Sequence, residues 1–247
     1  MVAAESSSIK INLADAIEEM FMVLTTKEKD VIVQRFSLDN KPKRTLESIG
    51  QQFSVTRERV RQIEKIALGK LRRTVQTTKL HLVNDIADQV IKEFGGVLLE
   101  TKLVSKILTI ISSKEEIDVS IIRLALNINP HLEQEEKNNV YEPFWRLKDL
   151  QMAFISSVID AGIKILKKKT DVTPDNKLVV QVRQALGSSV ENYSDPMIVS
   201  SLEVDKRVKK TSEGFGLMTW RHIIREVLGI KLILCLKKRK ILCISLK

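Results

Sequence analysis

The 247-residue chain has only two cysteines, three histidines, nine glycines and five prolines. Cys235 and Cys243 both fall in an apolar and basic tail, and a structural disulfide does not suit a cytoplasmic chain. His81, His131 and His222 lie far apart with no carboxylate or cysteine at ligand spacing, so they read as surface or capping histidines and leave no metal site to assign. The scarcity of glycine and proline leaves little room for long flexible linkers. No N-terminal apolar run resembles a signal peptide, because Ala3-Ala4-Glu5-Ser6-Ser7-Ser8 leads directly into an amphipathic pattern. No uninterrupted apolar stretch approaches the ~20 residues of a membrane span. Gly214-x-Gly216 lacks the rest of a phosphate-binding fingerprint, and Glu115-Glu116 and Glu135-Glu136 read as solvated loops. These absences predict a cytoplasmic protein that is no enzyme, with no cofactor, no small-molecule substrate and no membrane partner.

What is present is core and charge. An apolar content of 43% permits real cores, and the length suits two to three small domains. The net charge of +10 is unevenly spread. Between Lys41 and Leu80 eleven Lys/Arg face three Glu, a net of +8. Residues 1–40 carry −3, residues 81–223 carry −1 and residues 224–247 carry +6. A basic cluster of this kind neutralises phosphates and supplies the sequence-independent part of nucleic-acid affinity.

The first basic segment also has a helix-turn-helix pattern. Thr45 can cap a short helix whose Leu46, Ile49 and Phe53 share one face, with Gly50 beside it where a close crossing leaves no room for a side chain. Ser54-Val55 gives a tight turn, and Thr56 is placed to cap the next helix. There Val60, Ile63, Ala67 and Leu71 form the buried stripe, leaving Arg57, Glu58, Arg61, Gln62 and Lys65 on the opposite face. On an arbitrary helix such a face reads as solvated charge. Beside this turn it reads as a groove-reading inventory. Arg binds guanine O6/N7, Gln binds adenine N6/N7 and Glu accepts from cytosine N4.

Residues from about Leu24 to Val75 resemble region 4 of the sigma-70 family of RNA polymerase sigma factors. Leu24 to Asp39 is similar to that family's opening helix and its "RFGLD" end; Thr45 to Gly50 resembles its first motif helix, and Val55 to Glu64 its recognition helix. The resemblance implies binding to a promoter −35-like element in double-stranded DNA and docking on the β flap of bacterial RNA polymerase. It makes Arg57, Glu58, Arg61 and Gln62 the base-reading residues, with Lys43, Arg44, Thr56, Arg59, Lys65, Lys70, Arg72 and Arg73 on phosphates. It also implies a nucleoid-associated location. One departure is Ser54, where the family has Gly; a left-handed turn there costs about 1 kcal/mol of local strain. Another is the short lead-in, Ile9–Val23, which holds one amphipathic helix and predicts recognition without promoter melting. The expected function is sequence-specific DNA binding in transcription initiation. The alternative is a polymerase-docking interaction module whose DNA contact is incidental.

The expected fold is mainly α: a helix-turn-helix domain over 1–80, expected to fold alone, then winged-helix-like domains over 81–149 and 150–223. Val83–Phe94, Thr101–Ile111 and Val119–Leu126 carry helical periodicity before extended chain ending at Tyr141 to Arg146. A weaker copy follows in Met152–Lys167, Asp175–Leu186 and Met197–Val204, closing on Phe215 to Arg221. The Ile121-to-Trp145 and Ile198-to-Trp220 spacings mark the repeat; otherwise the two tryptophans anchor unrelated helical units. Both copies resemble the winged helices of the Gram-positive RNA polymerase delta subunit and the HARE-HTH group. Being nearly neutral, they are expected to contact protein rather than DNA. The tail over 224–247 reads either as a basic amphipathic helix or as the product of a frameshift in a longer protein.

Overall fold

A computed structural model describes residues 12–113, 115–187, 194–221 and 223–224. Ile9, His222, both cysteines and the tail after Ile224 lie outside the described residues. The chain is mainly helical and divides into two compact units, one of residues 1–135 with 144–149, the other of residues 136–143 with 150–247.

The first unit begins with four helices. Asn12 caps α1 (Leu13–Phe21) by accepting the Ala14 and Asp15 amides, and Leu13, Ala16, Ile17, Met20 and Phe21 form its buried face. Helix α2 (Thr26–Phe36) opens with a reciprocal capping box, the Thr25 hydroxyl accepting the Glu28 amide and the Glu28 carboxylate accepting the Thr25 amide. It ends at Ser37 in the left-handed conformation, φ 60°. Helices α3 (Leu46–Phe53) and α4 (Arg57–Thr74) follow. After a short 3-10 turn come α5 (His81–Glu93), β1 (Val97–Leu99), α6 (Glu100–Ile111), α7 (Glu116–Ile128), β2 (Leu132–Glu135) and β3 (Phe144–Leu147). The three antiparallel strands lie in the order β1-β3-β2, with Trp145 opposite both Leu98 and Gln134. Strand β1, just past the Gly95-Gly96 stop, has too short an apolar run to show in the periodicity.

Most of the core of residues 1–80 is shared with the segment that follows. Leu13, Met20, Ile32, Ala67 and Leu71 lie in one continuous buried cluster with Val83, Leu103, Ile121, Leu124 and Trp145. Helix α7 is the shared strut, packing on α1, α2 and α4 as well as on α5 and α6. It buries Ile121, Ile122, Leu124, Ala125, Leu126 and Ile128, which span more than one face of a helix. A helix that is apolar beyond a single stripe needs partners on more than one side.

The second unit repeats the pattern. Helices α8 (Met152–Lys169), α9 (Asp175–Leu186) and α10 (Asp195–Val204) precede β4 (Val208–Lys210) and β5 (Phe215–Leu217). A single bridge, Thr173 to Phe215, stands where β1 pairs with β3 in the first unit. Strand pairing therefore makes fully buried Phe215 the counterpart of the Phe144-Trp145 step, whereas Trp220 follows β5 and is half-buried near Gly216. The tryptophan spacing read from the sequence matched residue type rather than strand position.

Candidate nucleic-acid interface

The helix-turn-helix is built on a small apolar cluster of its own. Val31, Ile49 and Val60 are buried, with Leu46, Phe53 and Ile63 packed around them. Thr45 caps α3 through the Ser48 amide at 3.1 Å, and Thr56 caps α4 through the Arg59 amide at 3.2 Å. Between them Ser54 adopts φ 54°, the left-handed turn conformation, and the Val55 amide bonds the Gly50 carbonyl at 2.9 Å. A Cβ on Gly50 would lie 2.7 Å from the Val55 oxygen. The tight approach that demands glycine is thus to the turn backbone.

Arg57, Glu58, Arg61 and Gln62 are all exposed on α4. Glu58 accepts both Arg61 Nε at 2.9 Å and Arg61 Nη2 at 2.7 Å, and Arg59 Nη1 donates to Gln62 Oε1 at 3.2 Å. The Arg61 guanidinium beside it holds the Glu58 carboxyl below the usual carboxylate range. Glu58 is therefore ionised at neutral pH, the form that accepts from a cytosine amine. These exposed pairs are soft; the side chains can exchange them for base edges at little cost.

The eight candidate phosphate contacts fall into two groups. Lys43, Thr56, Arg59, Lys65 and Arg73 are exposed, Arg73 Nε turning back to the Gly69 carbonyl at 3.2 Å. The other three are engaged. Arg44 is half-buried and donates to Gln52 Oε1 at 2.6 Å and Gln34 Oε1 at 3.2 Å. Lys70 pairs with Glu28 at 2.8 Å. Arg72, although exposed, donates to the Asn127 carbonyl at the end of α7 at 2.9 Å.

Comparison with known proteins bears on this segment. Residues 21–73 match the family model for sigma-70, region 4. Over 87 residues the chain is 39% identical to RNA polymerase sigma factor RpoD of Neisseria gonorrhoeae, a match covering 35% of this chain and 14% of that protein. Over 63 residues it is 48% identical to RNA polymerase sigma factor SigA of Lactococcus lactis subsp. cremoris, covering 26% of this chain and 17% of the relative. SigA of Lactococcus lactis subsp. lactis matches at the same 48%, over 16% of its length. The chain thus spans between 14% and 17% of the curated relatives it matches.

Two ion pairs that the sequence did not reveal clamp α2 to α4 within the region 4 segment. Arg35 Nε meets Glu64 Oε1 at 3.0 Å, both side chains less than a fifth exposed. Toward the other end of α2, Glu28 joins Lys70 to its own capping box. Burial pushes the Glu28 carboxyl up, but the Lys70 ammonium and the Thr25 amide and hydroxyl together hold it below its ordinary value. The sign follows directly. A carboxyl with a depressed folded-state pKa contributes stability above its unfolded pKa and loses it as pH falls through the folded value. Wild type is therefore expected to exceed Glu28→Gln in stability by about 1 kcal/mol at neutral pH. In denaturant melts that gap should close as pH drops below the ordinary glutamate value of about 4.3. A gap that stays constant to pH 3 rules out the carboxylate as its source.

Proposed function

We propose that the first unit reads duplex DNA in transcription initiation through the leading turns of α4. One observation carries this reading: Arg57, Glu58, Arg61 and Gln62 stand exposed on a helix held by a completed helix-turn-helix, in the most basic part of the described chain. Burial of those side chains would have favoured an interaction module with incidental DNA contact. The base edges are assigned to these four residues, and phosphates to Lys43, Arg44, Thr56, Arg59, Lys65, Lys70, Arg72 and Arg73. Among the latter, Lys43 and Lys65 are exposed toward a backbone, Arg59 must leave Gln62, and Arg44, Lys70 and Arg72 must first give up bonds within the fold.

The match to region 4 supports a −35-like promoter element as target and RNA polymerase, through its β flap, as partner. It supports the role of a cytoplasmic, nucleoid-associated regulator rather than an enzyme. We assign the following segments to winged helices of the delta-subunit and HARE-HTH kind, serving protein contact. The burial of α7 and α10 on several faces supports this, since neither presents an open face to a groove.

Selection from a random duplex library by the full chain tests the reading, with enrichment of one defined motif as the expected result. Gln62→Ala or Arg57→Ala should then relax preference at one base pair by about 1–3 kcal/mol. Lys65→Ala should weaken all sequences alike and reduce the salt slope by roughly one unit. Equal losses on selected and scrambled duplexes for the first two variants would refute base reading.

A further inference from the structure

Arg35 makes two side-chain bonds in the region 4 segment, and no base or phosphate role uses it. Its guanidinium spans three pieces of chain. It projects from α2, its Nε holds Glu64 on α4 at 3.0 Å, and its Nη1 donates to the Arg44 carbonyl at 3.0 Å. The loop between α2 and α3 is thereby tied to the reader helix through one planar group, whose fork geometry lets two bonds form at fixed angles. The same loop end is held three more times, by the Arg44 amide on the Gln34 carbonyl at 3.1 Å and by the Arg44 side chain on Gln34 and on Gln52. This loop contains Ser37 and Asn40, both at positive φ, and carries the exposed Lys41 and Lys43. Within the loop the Lys41 amide bonds Asp39 Oδ1 at 3.2 Å, and Arg35 touches the point where the loop rejoins the fold.

We propose that Arg35, with Glu64, is a positioning residue for nucleic-acid binding: it fixes the basic loop against α4 so that Lys41 and Lys43 meet phosphates in register with the reader face. This rests on the DNA-reading function proposed above. Glu28–Lys70 provides the internal control. It couples the same two helices, and neither of its groups takes part in the Arg44 carbonyl bond. A variant there perturbs the α2–α4 packing without releasing the loop.

The test compares full-length wild type, Arg35→Ala, Arg35→Lys and Glu28→Gln on two labelled duplexes. One is the sequence wild type selects from a random library and the other a scramble of it, each titrated between about 50 and 200 mM salt. Arg35→Ala is expected to lose about tenfold on both duplexes, lower the salt slope by up to about two, and leave the ratio between duplexes unchanged. Arg35→Lys keeps the charge and the Glu64 pair but not the fork, so any fall in its slope comes from loop position rather than lost charge. Glu28→Gln should not lower the slope, since releasing Lys70, itself assigned to phosphates, removes no contact. An unchanged slope in Arg35→Ala overturns the proposal, as does an equal fall in Glu28→Gln. Amide exchange on the free chain supplies a readout without DNA. The Arg44 amide should lose at least tenfold protection in Arg35→Lys and Arg35→Ala, while the Ala67 and Leu71 amides keep theirs; retained protection at Arg44 also overturns it. If wild type binds neither duplex, the DNA-reading function fails and exchange alone decides whether Arg35 holds the loop.

Discussion

Residues 1–80 produced alone are expected to unfold without a cooperative transition, although they contain the whole region 4 match. Helix α1 buries Leu13, Ile17, Met20 and Phe21, and Ile32 and Leu71 lie in the same cluster as Ile121, Leu124 and Trp145. Cutting after residue 80 removes α7, which packs on α1, α2 and α4. Each large apolar side chain returned to water forfeits about 1.5–3 kcal/mol. Even partial exposure of five or six of them consumes the roughly 5–15 kcal/mol that holds a typical domain together. Residual helix should remain, because the Asn12, Thr25, Thr45 and Thr56 caps are local. Circular dichroism in a urea series should show a shallow decline for 1–80 and a sigmoidal loss for 1–149. A sharp transition for 1–80 with the midpoint of 1–149 would show that the shared core contributes nothing to the helix-turn-helix.

The same contrast explains which features could be read from the residues. Thr45, Gly50, Ser54 and Thr56 are legible because each acts on a backbone group within five positions of itself. Arg57, Glu58, Arg61 and Gln62 are legible as one face because helical periodicity alone places them. The Arg35–Glu64 clamp joins residues 29 apart, and the Arg72 bond to Asn127 joins residues 55 apart. No local pattern marks such partners, and Arg72 accordingly reads as one more phosphate candidate. Helix α7 has an ambiguous signature for a related reason. Its apolar residues exceed one stripe, but only the fold shows that the surplus covers α1, α2 and α4. The Thr25/Glu28 capping box, in contrast, was legible in principle as a Thr-x-x-Glu string.

Gly50→Val is expected to abolish selective DNA binding while leaving most of the first unit folded. The new Cβ meets the Val55 oxygen at 2.7 Å, inside any real contact distance, and the obstacle is backbone rather than a side chain that can rotate away. Relief requires the turn to move, which stretches the 2.9 Å bond from the Val55 amide to the Gly50 carbonyl. Overpacking of this kind costs about 1–3 kcal/mol, only partly offset by the better helix propensity of a residue with a side chain. The damage stays local. Gly50 borders the small cluster of Val31, Ile49 and Val60, whereas Ala67 and Leu71 anchor the second half of α4 in the main core. Displacing the turn re-aims Arg57 and Glu58, the residues next to it, and a shift of about 1 Å suffices to lose bidentate hydrogen bonds. Selected and scrambled duplexes should then bind alike, at least tenfold more weakly than wild type binds the selected one. Amide exchange should accelerate across α3 and the first turns of α4 and remain slow at Ala67 and Leu71. If Gly50→Val keeps the wild-type preference between duplexes, the turn does not set the aim of α4 and base reading by its first turns is wrong.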